Sequence, residues 1–204
     1  MFSNVVRKHA VVAIALAVWL PGVAYGFNVL WRYSMTPGHP ASPPVEWPQQ
    51  LQIQPKPAQA TLVMFAHPQC GCSKASLGEL EILMARAHEK VSANVVFYAP
   101  PDEPSTWAKT DLWKIAEKIP GVTVTEDRGN NVARSFGAFT SGQTLVYDAN
   151  GRLIFNGGIT ASRGHSGDNY GRDAIIALLQ GHLAETTTLP VTSPVFGCSL
   201  RSEE

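Results

Sequence analysis

Between residues 61 and 136, short apolar runs alternate with segments of helical periodicity, and that alternation limits the fold more than any other feature of the chain. Two consecutive strands with a helix between them must pair in parallel, because the helix supplies the crossover. The strand-like runs are residues 61–65, 94–98 and 122–125. Leu77, Leu80, Leu83, Met84 and Ala87 recur at three- and four-residue spacing, so the spacing predicts an amphipathic helix over 73–89. Ser105 precedes Trp107, Leu112, Ile115, Ala116 and Ile119, a second helix ended by Pro120-Gly121. In it Trp113 reads as core and Trp107 as partly exposed. Residues 130–136 read as one or two helical turns closed by Gly137. Residues 144–147 and 153–155 then flank Asp148-Ala149-Asn150-Gly151, a hairpin signal, and 172–183 reads as a last helix. The expected fold class is α/β: a central mixed sheet, largely parallel, with an antiparallel hairpin at one side.

The chemistry concentrates where the first run meets the first helix, in His67-Pro68-Gln69-Cys70-Gly71-Cys72-Ser73-Lys74. Backbone N–H groups at a helix N-terminus point outward and the helix dipole favours negative charge. A thiolate there is stabilised, and the thiolate is the nucleophilic and metal-binding form of cysteine. Cys70 is therefore the candidate nucleophile and His67 a candidate assisting group. Cys72 is a candidate resolving thiol for a mixed disulfide at Cys70. Three cysteines are too few for a disulfide scaffold and leave one beyond a pair. That third thiol, Cys198, is a candidate resolving partner only if the C-terminal tail folds back, and Pro194 and Gly197 beside it suggest a fixed turn. The competing use of these residues is a soft-metal site. Cys70 and Cys72, with His67 or Cys198 as third ligand, suit Cu(I) or Zn(II). The polar loop 157–169 carries Arg163, His165 and Asp168; it reads as a packed Ω-type loop, with substrate recognition as the alternative.

No charged residue occurs from Ala10 to Trp31, a run of 22 residues with Arg7 and Lys8 before it and Arg32 after. That length crosses a bilayer. Residues 1–34 are expected to be an uncleaved anchor, since apolar character continues past Ala24-Tyr25-Gly26 and Trp31 and Tyr33 resemble an interfacial belt; a secretory signal is the competing reading. Arg7-Lys8 places the N-terminus inside and the rest outside: a single-pass inner-membrane protein facing the periplasm, if the host is a Gram-negative bacterium. That compartment is oxidising. Seven prolines between residues 35 and 60 suggest an extended, semi-rigid spacer. The domain is expected over 61–184, followed by a tail over 185–204. Zero formal net charge and the lack of a basic run exclude a nucleic-acid surface.

In combination these residues resemble the thioredoxin superfamily. Phe65, Cys70, Gly71 and Lys74 fall where that family has its strand-end Phe, nucleophilic Cys, Gly and Lys, and the hairpin and last helix match its C-terminal half. Trp31-Arg32-Tyr33, Pro37-Gly38, His67-Pro68, the Cys-x-Cys pair, Gly157-Gly158-Ile159-Thr160, Arg163-Gly164-His165 and the run from Pro194 to Cys198 are similar to its small membrane-anchored RedB-like branch. The resemblance implies a three-layer fold and a thiol–disulfide oxidoreductase acting on protein thiols or disulfides, with no cofactor. It departs from the family at two places. Ser73 stands where the second cysteine of Cys-x-x-Cys would be, and Gly142 stands in the position of the proline that faces the dithiol. A domain that keeps the fold without catalysis is the third reading.

Overall fold

The computed structural model describes residues 2–49, 51, 53–182 and 189–200. It contains two compact units, Met1–Thr36 and Pro37–Glu204. The first is a single helix, α1 (Phe2–Met35), with Pro21 inside it. Over Arg7–Met35 it is long and apolar enough to cross a membrane, and none of that window is covered by protein.

The second unit is an α/β fold on one six-stranded sheet. In chain order its elements are β1 (Ala60–Ala66), α2 (Gly71–Ala87), β2 (Val91–Ala99), α3 (Asp111–Glu117), β3 (Val122–Arg128), α4 (Asn131–Ser135), β4 (Thr144–Tyr147), β5 (Leu153–Gly157), α5 (Tyr170–Leu179) and β6 (Val191–Thr192). The strand order is β3-β2-β1-β4-β5-β6. β1, β2 and β3 pair in parallel, β4 runs antiparallel to both β1 and β5, and β6 closes the edge parallel to β5. A parallel β-α-β unit joined to an antiparallel hairpin and a final helix is the thioredoxin-like frame expected from the sequence.

β1 sits centrally and is buried on both faces, which is why it reads as a continuous apolar run. Leu62, Met64 and Ala66 join the core formed with Leu77, Leu80 and Leu83 of α2, Trp113 and Ala116 of α3, and Ala174 and Ile175 of α5. Val63 and Phe65 enter the opposite core with Val96, Phe136, Leu145 and Tyr147. Three helices therefore cover one face of the sheet.

The other face has only the five-residue α4, and the stretch expected as a spacer completes its cover. Trp47 packs edge-on against Phe136 and Tyr147, with ring centroids 5.2 and 5.1 Å away, and Ile53 is buried. Trp47 N–H donates to Gly151 O and Leu153 N–H to Val45 O, both at 2.8 Å, while Tyr147 Oη donates to Pro44 O at 3.0 Å. This stretch holds no helix or named strand among its described residues. Its scattered large side chains (Trp47, Leu51, Ile53) then bury themselves instead of leaving it solvated.

One boundary also differs from the sequence reading. The helix expected from Ser105 begins at Asp111, because Thr106 and Ala108 carbonyls are taken up by tight turns and Thr110 Oγ1 donates to Pro68 O at 2.9 Å. Trp107 thus lies before α3, partly buried, while Trp113 is core as expected. The expected end of the last helix at Leu183 lies outside the described residues.

Candidate functional site

β1 ends at Ala66 and α2 begins at Gly71, so the four residues between them turn the chain from the sheet into the helix. Cys70 N–H donates to His67 O at 3.1 Å and Ser73 N–H to Cys70 O at 3.0 Å. Cys70 is the N-cap of α2 in extended conformation, and its side chain caps no backbone group. Its sulfur is instead bonded to that of Cys198, across a Cα–Cα distance of 6.4 Å that lies within the normal span of a disulfide. Cys72, two residues on, is a free, half-buried thiol. The three sulfurs lie within 4.8 Å of one another. Folding has thus joined the two ends of the candidate site, from residues 128 positions apart.

The pairing comes from the tail. Residues 197–200 run antiparallel to 139–141, centred on the Thr140–Ser199 bridge. Ser141 N–H donates to Cys198 O at 2.8 Å and Leu200 N–H to Phe139 O at 2.9 Å. Val195, Phe196 and Leu200 are buried, and Arg163 Nη1 donates to Gly197 O. A side chain at Gly197 would collide with the Ser141 carbonyl, so this close approach requires glycine. In the loop 157–169, residues 157–160, 162 and 169 are buried and 164–168 are exposed, and Arg163 reaches the tail. His165 and Asp168 are exposed, Asp168 beside Arg172 at 3.4 Å.

Ser73 explains the first departure from the family pattern. Its buried hydroxyl lies 2.6 Å from Ser141 Oγ and donates to His67 O at 3.1 Å. His67 N–H in turn donates to Ser141 Oγ at 3.1 Å. Where a second cysteine would stand, a hydroxyl clamp ties the start of α2 to the 140–143 turn. Gly142 explains the second. It has φ +88° and donates its N–H to Phe65 O at 2.7 Å. Proline has no N–H and fixes φ near −65°, so it fits neither condition. Gln143 N–H donates to Thr140 O, a turn with glycine at its third position.

His67 does not join the sulfurs. Its ring stacks on Tyr98 with centroids 5.7 Å apart, meets Trp107 edge-on at 5.8 Å, and accepts Gln69 N–H through Nδ1 at 3.2 Å. Burial lowers its pKa below the ordinary 6.5, which favours neutral imidazole. The candidate metal set Cys70, Cys72 and His67 is not gathered. Among the described residues, the donor atoms close enough to share an ion are the sulfurs of Cys70, Cys72 and Cys198. The sequence names Ser73, Gly197 and Arg163 without the contacts they make, and it does not single out Ser141. Pro194 and Gly197, with the apolar Val195-Phe196 pair between them, were the signals that the tail is fixed.

No family model matches the chain, and no curated relative is similar to it in sequence. Solved structures do share its fold. An uncharacterized conserved protein from Geobacillus kaustophilus superposes with a TM-score of 0.60 at 20% identity, over 83% of this chain and 93% of that one. A hypothetical protein from Sinorhizobium meliloti 1021 superposes with a TM-score of 0.55 at 20% identity, over 82% and 94%. An exposed lipoprotein thioredoxin from Streptococcus pneumoniae aligns at 17% identity over 61% and 85% with a TM-score of 0.45.

Proposed function

We propose that this chain is a membrane-anchored thiol–disulfide oxidoreductase of the RedB-like kind, working on the non-cytoplasmic side on protein thiols or disulfides. The observation that carries this reading is the Cys70–Cys198 bond at a helix N-terminus, with the Cys72 thiol within 4.8 Å of both sulfurs. In the forward step a thiolate of a substrate dithiol attacks one sulfur of that bond. The bond breaks, the other sulfur leaves as thiolate, and the second substrate thiol displaces the first mixed disulfide. The substrate loses two electrons and becomes a disulfide, while Cys70 and Cys198 gain two electrons and two protons. Run backward, the same sequence reduces a substrate disulfide. The α2 N-terminus stabilises Cys70 as thiolate in either direction. Cys72 is the resolving thiol that attacks Cys70 in a mixed disulfide. α1 supplies the anchor, and Arg7-Lys8 near its start, before the uncharged run, supports the N-terminus-in orientation.

The test uses the full chain in detergent micelles with a disulfide-bonded protein such as insulin and a dithiol. Cys70→Ser is expected to lose exchange activity while keeping its circular dichroism spectrum. Full activity in that variant would overturn the reading, and an inert wild-type chain would favour a non-catalytic interaction domain. The sulfur cluster also supports a second reading, soft-metal binding by Cys70, Cys72 and Cys198 once reduced. Equilibrium dialysis of Cu(I) against the reduced chain separates the two. Stoichiometric binding lost in Cys70→Ser/Cys72→Ser supports the metal reading, and no binding removes it.

A further inference from the structure

The C-terminal segment does more than supply a sulfur. It lies as a short extended strand, its main-chain groups bonded to Ser141 N–H and Phe139 O, and its cysteine covalently joined to the candidate nucleophile. That is the arrangement of an extended peptide bound by strand addition and caught as a mixed disulfide. The strip it pairs with, residues 139–141, offers it the Ser141 N–H and the Phe139 carbonyl. Thr140 lies opposite Ser199 in a non-hydrogen-bonded pair, and its Oγ1 donates to His39 O at 3.0 Å, which holds the strip from behind. Beside the strip an open cleft of about 700 Å³, lined by His39, Thr140, Arg163, Gly197 and Ser199, leaves room for residues flanking a longer peptide.

We propose that residues 197–200 are an in-cis occupant of a peptide-binding edge, holding the place of an extended partner segment that carries a glycine immediately before its cysteine, and that exchange at Cys72 releases them. This rests on the thiol–disulfide reading above. The glycine requirement follows from the contact at Gly197, where any side chain meets the Ser141 carbonyl. Arg163 adds a hydrogen bond to the carbonyl of that same glycine. Release balances without an external oxidant or reductant. The Cys72 thiolate attacks Cys70 Sγ, the Cys70–Cys72 bond forms as the Cys70–Cys198 bond breaks, and Cys198 leaves as thiolate to take up the proton Cys72 gave away. Cys72, two residues after Cys70, thus has a defined task, to resolve Cys70 from the chain's own tail and from a partner in the same place. While the tail is bonded the strip is shut to partners, and its departure opens it.

The test uses the full chain in detergent as Cys72→Ser/Cys198→Ser, which leaves Cys70 as the single thiol. The probe is the octapeptide Pro-Val-Phe-Gly-Cys-Ser-Leu-Arg, the chain's own residues 194–201, activated as a thionitrobenzoate disulfide. Attack by Cys70 on the peptide sulfur releases the coloured thionitrobenzoate anion. Two comparison probes are the same peptide carrying Gly197→Val and activated glutathione. The untethered tail competes equally with every probe, so the ratio of rates reads the edge alone. The native peptide is expected to react about tenfold or more faster than its Gly197→Val form, the worth of one or two main-chain hydrogen bonds. Equal rates for the two peptides, with exchange present, would overturn the docking proposal and leave Cys70 exchange standing. A chain inert to all three probes would remove the thiol–disulfide reading itself.

Discussion

At the scale of single residues, the site is held by Ser73, Ser141 and Gly142. Ser73 and Ser141 tie the start of α2 to the 140–143 turn, and Gly142 gives that turn its left-handed corner. Gly142→Ala is expected to lower stability by about 1–2 kcal/mol, the cost of a side chain in the left-handed region, and Gly142→Pro by more, because it also removes the bond to Phe65 O. Chemical denaturation of the oxidised chain reads both. His67 makes a pH prediction. Its folded-state pKa lies below 6.5, so between that lowered value and 6.5 the unfolded chain binds more protons than the folded one. Stability should therefore be full above about pH 6.5 and fall as the pH drops through that window. Denaturant midpoints from pH 7.5 down to pH 5 measure this, and His67→Gln is expected to flatten the part due to this residue.

At the scale of elements, α2 and α5 are joined by a buried ion pair that also fixes the loop reaching the tail. Glu79, fully buried in α2, bonds Arg172 Nη1 of α5 at 2.6 Å, Gly167 N–H at 2.6 Å and Asn169 Nδ2 at 3.1 Å. Asn169 Oδ1 caps α5 by accepting Arg172 N–H at 2.8 Å. Glu79→Leu removes the buried carboxylate and leaves the guanidinium only the exposed Asp168 and Asp173, and is expected to cost up to about 3–5 kcal/mol. Adding Arg172→Leu should recover most of that loss, a double-mutant comparison that separates the stranded charge from the pair's net value. None of this was legible in the sequence. The 157–169 loop showed its polarity, but its carboxylate partner lies on a helix nearly ninety residues earlier. The strands and the hairpin were legible, since Asp148 Oδ1 accepts both Asn150 and Arg152 N–H groups at 2.9 Å, as a local turn signal implies.

At the scale of the whole molecule, the second unit is closed at both ends by segments that the sequence suggested were outside it. The strap before β1, through Trp47, Leu51 and Ile53, covers the sheet face that α4 leaves bare. Trp47→Ala, which empties the contacts with Phe136 and Tyr147, is expected to cost about 3–5 kcal/mol in thermal or denaturant unfolding. The tail closes the other end, and its disulfide spans 128 residues of chain. In the chain-entropy model, removing a link that closes so long a loop costs about 4–5 kcal/mol. Cys198→Ser should show a loss of that order in a denaturant titration without reductant, and the wild-type chain with excess dithiol should fall to the same midpoint.

The sequence by itself determined the parts whose causes are local. Alternating periodicities produced the β-α-β order, the Asp-Ala-Asn-Gly turn produced the hairpin, an uncharged run of 22 residues produced α1, and a strand-to-helix junction placed Cys70 at a helix N-terminus. Only the tertiary structure decided which thiol Cys70 meets. Cys72 is nearer in sequence, yet the strip at 139–141, the glycine at 197 and the buried Val195, Phe196 and Leu200 bring Cys198 to it. Periodicity reports which face of an element is apolar, but not which distant segment will cover it. That choice rests on main-chain hydrogen bonds and close packing between residues far apart in the chain, and these exist only once the sheet has formed.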